Sequence, residues 1–204
     1  MKYNALIAAM LALTSIVSFP SEARNTQAPR ANQNAVAPAP LTDEEAKVLL
    51  WMREEEKLAR DVYQTLAIHW GIPEFQRIAG SEQRHFDAMG AQLVRFGLTD
   101  SSLPAPGVFS RQELQDMYWQ LITNGAQSPI QALTVGATIE DVDIADLIDA
   151  IDGTTNPVLK RAYENLLAGS KNHLRAFVGL LRSQGADYTP THIDPVLFDA
   201  IVGN

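Results

Sequence analysis

The sequence contains no cysteine. That excludes disulfides, thiolate nucleophiles, lipid-modified cysteine and any metal site built on sulfur. A metal in this chain must be held by carboxylate, imidazole or water. Basic residues are in the minority, with 16 Lys and Arg against 24 Asp and Glu, for a net charge of −8. This balance disfavours nucleic acid and anionic membrane surfaces as partners. There is no Gly-rich phosphate loop, no Gly-x-Ser-x-Gly elbow and no convincing strand alternation, so nucleotide-loop and serine-hydrolase chemistries have no motif to rest on. Past the first two dozen residues, no apolar run is long enough to span a bilayer.

What is there begins with a short leader. Lys2 precedes an uncharged apolar stretch, Ala5 to Val17, and Ser21-Glu22-Ala23 places small residues where a signal peptidase reads. Residues 1–23 are therefore expected to be a secretory signal cleaved after Ala23. The mature protein is expected to be periplasmic or secreted, with no membrane association after cleavage. An uncleaved anchor is the less favoured alternative, because the apolar run is too short. Residues 24–40 are rich in Asn, Gln, Ala and Pro and read as a flexible linker.

The rest is all-α in pattern. Thr42-Asp43-Glu44-Glu45 is a capping box that opens a helix running to about Trp70, before Gly71. Pro73 starts a second helix that reaches Phe96 and is closed by Gly97. Ser110-Arg111-Gln112-Glu113 reads as a second capping box, for a shorter helix to about Thr123. Ser128-Pro129 and Asn156-Pro157 open two more long helices, ending near Gly153 and Gln184, and a short helix spans Pro195 to Ile201. Four long helices, with a long crossover between the second and third that carries a short extra helix, predict a ferritin-like four-helix bundle over residues 41–186. Residues 187–204 are expected to be a tail packed on it.

The core stripes of these helices carry charge. On the first, Val48, Met52, Ala59, Val62, Tyr63, Leu66 and Trp70 define an apolar arc that includes Glu55 and Glu56. Glu54 falls outside this arc beside Lys57 and Asp61, where a solvated face is expected. The second stripe runs Phe75, Ile78, Glu82, His85, Met89, Leu93 and Phe96. The third runs Leu133, Gly136, Glu140, Asp143, Leu147 and Ile151, and the fourth Leu159, Tyr163, Leu166, Ser170, His173, Phe177 and Leu180. Ionisable residues thus stand near the midpoint of all four.

An unpaired buried carboxylate costs several kcal/mol. Two divalent cations would offset Glu56, Glu82, Glu140 and Asp143, with His85 and His173 as neutral nitrogen ligands. That donor set suits iron or manganese best, and zinc is compatible. The competing explanation is buried salt bridges, with Arg53, Arg60, Arg84 and Lys171 nearby in sequence.

The segments MREEEKLARDVY, SEQRH, GATIEDVDIADL and YENLLAGSKNHLRAF resemble a bacterial and archaeal ferritin-like family of unassigned function, domain of unknown function 2202. The resemblance covers almost all of the chain after the linker. More broadly the chain is similar to rubrerythrins, whose first-helix motif resembles Glu56-x-x-Ala59-Arg60-x-x-Tyr63. The likeness selects Glu56 over Glu55 and implies metal-ligand roles for Glu56, Glu82, His85, Glu140, Asp143 and His173. A rubrerythrin-like fourth helix would carry Glu three residues before its His, where this chain has Ser170. Asp143 or Glu55 is then left to supply the missing charge. The rubredoxin-like partner domain of rubrerythrins is absent too.

Three functions fit these features. An oxidoreductase acting on oxygen or peroxide through a dinuclear centre is favoured over a metal-dependent hydrolase of, for example, phosphate esters. Non-enzymatic metal storage, or a structural metal site, is the third. The partners implied are metal ions and a small oxidant or small-molecule substrate, with homo-oligomerisation left open. Tyr63 and Tyr163 lie near the stripes, either as core aromatics or as donors to the site.

Overall fold

A computed structural model describes residues 40–203. The expected signal (1–23) and linker (24–40) lie outside these residues, but for Pro40. The described chain is all-α: α1 (Asp43–Trp70), α2 (Pro73–Phe96), α3 (Gln112–Gly125), α4 (Pro129–Gly153), α5 (Pro157–Ser183) and α6 (Pro195–Val202). No strand occurs among the described residues.

Local chemistry sets most of the boundaries. Thr42 accepts from the Glu45 amide while the Glu45 side chain accepts from the Thr42 amide, completing the capping box of α1. Such a cap stabilises a helix by about 1 kcal/mol. Ser128 and Asn156 cap α4 and α5 through their side chains, each followed by proline at the first helical position. The two-residue link between α1 and α2 turns on Gly71, whose φ of 66° is the left-handed region that glycine adopts without a Cβ penalty.

The long helices pack in pairs, α1 with α2 and α4 with α5, and the pairs meet through α1 against α4 and α2 against α5. The crossover between α2 and α4 includes α3, which lies against α1 and α4, while α6 packs on α5.

The apolar core is split in two. One cluster gathers Val62, Tyr63, Phe75, Ile78, Leu133 and Phe177, with ring centroids of Tyr63, Phe75 and Phe177 5.3–5.9 Å apart. The other gathers Leu49, Met52, Met89, Leu93, Leu147, Leu159 and Tyr163. On each long helix the ionisable candidates fall in sequence between residues of the two clusters. A polar belt thus crosses the bundle with an apolar layer on either side.

Two expectations are corrected. Glu54 is fully buried rather than solvated, and Lys57 and Asp61 beside it are buried as well. The crossover covers this face of α1, and the stripe reasoning had assigned it to water. Lys57 Nζ donates to Asp61 Oδ2 at 2.6 Å and to the carbonyls of Ala105 and Val108, so each of its three protons has an acceptor. The second correction is at Ser110, which does not cap α3. Arg111 is the N-cap residue, without a side-chain bond, and the Ser110 hydroxyl instead donates to Glu54 Oε1 at 2.7 Å, joined by Ser101 at 3.0 Å. A buried carboxylate competes for that hydroxyl more strongly than a helix amide open to water.

Candidate metal centre

Five of the six candidate ligands converge. Glu56, Glu82 and His85 form one group and Glu82, Glu140 and His173 a second, the ligand atoms within each lying within 4.8 Å of one another. Glu82 belongs to both. Its Oε2 is 2.7 Å from His85 Nδ1 and its Oε1 is 2.7 Å from His173 Nδ1. Glu56 Oε2 is 3.4 Å from His85 Nδ1, and Glu140 Oε2 is 3.5 Å from His173 Nδ1. The two imidazoles stand 5.5 Å apart, inclined by 31°.

Helix geometry explains the convergence. Glu82 and His85 are three residues apart on α2 and share its inward face. Glu56, Glu140 and His173 each reach the same level from α1, α4 and α5. Gly169 on α5 leaves the space that the His85 ring occupies: a Cβ there would stand 2.5 Å from His85 Nε2. Tyr63 donates a 2.6 Å hydrogen bond to Glu140 Oε1, fixing that carboxylate from the other side.

The close contacts have ion-pair distances but poor hydrogen-bond direction. His85 Nδ1, His173 Nδ1, Glu82 Oε1 and Glu56 Oε1 are all buried without a hydrogen-bond partner of acceptable direction. The imidazole nitrogens approach the carboxylates at 2.7 Å, yet the N–H direction misses the oxygen. Ligands held ~2.1 Å from one ion stand ~3.0–3.4 Å apart at octahedral or tetrahedral angles; the four His–carboxylate edges of these two groups run from 2.7 to 3.5 Å, and the carboxylate–carboxylate edges lie within 4.8 Å. Nitrogen and oxygen aimed past one another at that spacing fit a shared cation in each group.

The electrostatics describe the ligand-free protein. Burial opposes charge on His85, but Glu56 and Glu82 outweigh it and raise its pKa to about 11. Burial likewise opposes charge on His173, and Glu140 with Glu82 raises it to about 10. Burial pushes Glu82 up, and the two histidines reverse this, lowering it to about 2. Glu56 is pushed well above the carboxylate range by burial and by Asp143. Burial and the Glu82 charge raise Glu140. Without metal, protonated imidazoles are the counter-ions, and divalent ions would replace those protons.

Asp143 is in neither group, though its charge acts on Glu56. Burial and Glu140 raise its pKa to about 7, opposed by the Ser170 hydroxyl beside it. Ser170 is fully buried and donates to the Leu166 carbonyl. Glu55 leaves Oε2 buried and unpartnered, and burial, followed by Asp146, raises its pKa well above the ordinary value.

Among the described residues, no Arg or Lys forms a salt bridge with the belt carboxylates. Arg53 pairs with Asp100, Arg60 with Asp61 and Gln83, and Arg84 bonds the Gly80 carbonyl. None of these cations reaches the belt. Sequence reasoning missed Gly169, although a small residue one turn before His173 was the available signal.

Residues 45–204 match the family model described as an uncharacterized protein domain, DUF2202. The chain belongs to that family. A curated relative, uncharacterized protein MJ0754 of Methanocaldococcus jannaschii, is 45% identical over 166 residues, covering 81% of this chain and 90% of the relative. The crystal structure of hypothetical protein MJ0754 from Methanococcus jannaschii matches with a TM-score of 0.81 at 44% identity, over 83% of this chain and 98% of that one. This DUF2202 chain thus shares its helical architecture with an archaeal protein whose name assigns no activity.

Proposed function

We propose that this chain is an exported, ferritin-like metalloprotein that holds two divalent transition-metal ions, iron or manganese, in its belt and acts on oxygen or peroxide. The observation that carries the reading is Glu82, whose two oxygens each stand 2.7 Å from a different imidazole nitrogen with no hydrogen-bond direction between them. The ferritin-like assignment rests on the long crossover and on the position of the belt between two apolar layers.

Glu82 would bridge the two ions. Glu56 and His85 would complete one side, and Glu140 and His173 the other. Such ions, when bound, supply redox equivalents and Lewis acidity to a small oxidant. Tyr63 holds Glu140 in place and keeps a phenolic proton at Oε1. Its pKa is raised well above the ordinary value by burial and by Glu140, so it serves as a proton-holding donor rather than a phenolate ligand. The apolar layers on both sides keep bulk water from the belt.

The test is metal analysis of the purified chain, followed by anaerobic loading with ferrous iron and mixing with oxygen. Two ions per chain, a transient visible band and oxygen consumption are expected. His85→Ala and His173→Ala should each lose metal while keeping their helicity. Failure of the wild type to take up stoichiometric metal overturns the reading. Turnover of a phosphate ester with manganese or zinc, without oxygen consumption, would shift it to hydrolysis. Export is checked by intact mass of the secreted protein, expected to begin at Arg24.

A further inference from the structure

A cleft opens where α1, α4 and α5 meet, separate from the two Glu–His groups. It holds about 530 Å3, within the range of sites that take small organic molecules. Val48, Met52, Ala150 and Leu159 make its apolar walls, beside the ring of Trp51. Tyr163 reaches it from α5. This residue is 1% exposed, and its hydroxyl has no hydrogen-bond partner, which proteins seldom leave unexplained.

The charges around the cleft are not balanced. Glu45 is committed to Thr42, Thr154 and the amides that follow. Lys47 pairs with Glu44, and Arg111 lies over Trp51, 3.8 Å from Glu113. Asp146 and Asp149 also line the cleft, and no Lys, Arg or His pairs with either among the described residues. Glu55 shares a hydrogen bond with Asp146 and is held neutral by burial and that neighbour, so the pair carries a single negative charge. Apolar walls, carboxylates without a paired cation and an unpartnered phenol oxygen are together the recognition chemistry of an organic cation.

We propose that this cleft binds a small apolar molecule carrying an ammonium group. Its body lies against Trp51, Met52 and Leu159, its charge is at Asp146 and Asp149, and the Tyr163 oxygen accepts a further N–H. Met52 is one helical turn before Glu56, and Asp146 one turn after Asp143, so the cleft abuts the belt. That such an amine is a substrate rests on the metal reading above, but its binding does not.

The experiment is calorimetric titration of the full metal-loaded chain with benzylamine, in parallel with benzyl alcohol and phenylacetate. One benzylamine site per chain is expected, with the neutral and anionic analogues weaker by about tenfold or more. Asp146→Asn and the cleft-filling Ala150→Phe should each lower benzylamine affinity about tenfold or more, and Tyr163→Phe several-fold, at unchanged metal content and helicity. Absence of benzylamine binding, equal binding of benzyl alcohol, or unchanged affinity in a folded Ala150→Phe or Asp146→Asn variant overturns the assignment. His85→Ala separates the two readings. Benzylamine bound by that variant after metal loss supports the cleft on its own. Binding lost along with the metal would put the amine on the ion and overturn the cleft.

Discussion

Gly169→Ala isolates the geometry of His85 without touching a ligand. In a helix interior this substitution ordinarily stabilises by about 1 kcal/mol, and nothing about α5 predicts otherwise. At this position, however, the new Cβ would stand 2.5 Å from His85 Nε2 and 2.7 Å from Cε1. Ordinary carbon contacts begin near ~3.5 Å, so the ring must retreat by about 1 Å. Metal–ligand distances tolerate only about 0.2 Å. The ring cannot yield and still hold Nδ1 in place beside Glu56 and Glu82. The expected outcome is a loss of metal affinity of about 10- to 100-fold, the range for changes that displace a ligand's support. In the metal-free protein the helix gain and the clash oppose one another, so the midpoint of thermal unfolding should change little. Competition against a fluorescent chelator reads the affinity, and circular dichroism reads the fold. Unchanged affinity with a raised midpoint would refute the reasoning, since His85 would then have no role that depends on its place.

Lys57→Met should destabilise by about 3 kcal/mol, because it leaves Asp61 buried with Arg60 as its one cation and the Gly107 amide as its other partner, with metal content preserved; chemical denaturation measures it, and a change below about 1 kcal/mol would refute it. Asp143→Asn should retain the first ion and weaken the second, since three carboxylates then face two dications; metal stoichiometry under chelator competition decides. The metal-free protein should lose stability as pH rises. Asp143, raised to about 7, binds its proton more tightly folded than unfolded, so stability falls from about pH 4 through 7. His85 and His173, raised to about 11 and about 10, contribute stability that is complete below about pH 6.5 and lost through those values. Glu82, lowered to about 2, works oppositely, its contribution being lost as pH falls from about 4.5 through 2. Urea midpoints across pH 3 to 10 check this, and a stability that rises above pH 7 in the metal-free protein would refute it.

Most of the fold was legible because capping chemistry is local. Thr42, Ser128-Pro129, Asn156-Pro157, Gly71 and Gly97 announce helix ends within a few residues of themselves, and the helices start and stop there. The convergent five residues were legible for a related reason: a period of 3.6 residues puts Glu82 and His85 on one face before any partner helix is known. What failed was whatever depended on the crossover. Glu54, Lys57 and Asp61 lie on a face of α1 that is polar in sequence and buried in fact. Periodicity on one helix cannot tell a face turned to water from one roofed by a distant polar loop. Ser110 was misread for the same reason, because its acceptor is Glu54, 56 residues away. Gly169 needed knowledge of which helix His85 faces.

The asymmetry of the belt follows from a single residue type. A second bridging glutamate at position 170 would give each histidine its own carboxylate from the same helix. With serine there, Glu82 alone spans both imidazoles, and the hydroxyl turns back to the Leu166 carbonyl. The space is answered from the neighbouring helix, since Asp143 stands beside Ser170. An aspartate on α4, one turn beyond Glu140, brings charge without reaching either ligand group. Glu56, Glu82 and Glu140 stand in the two groups, and Asp143 adds a fourth carboxylate beside them, so two dications would balance the four charges. In the ligand-free protein Asp143 is raised to about 7 by burial and by Glu140, and two dications nearby would reverse that shift. If the proposed centre holds two ions, Ser170 and Asp143 would line the side where a rubrerythrin-like helix carries glutamate.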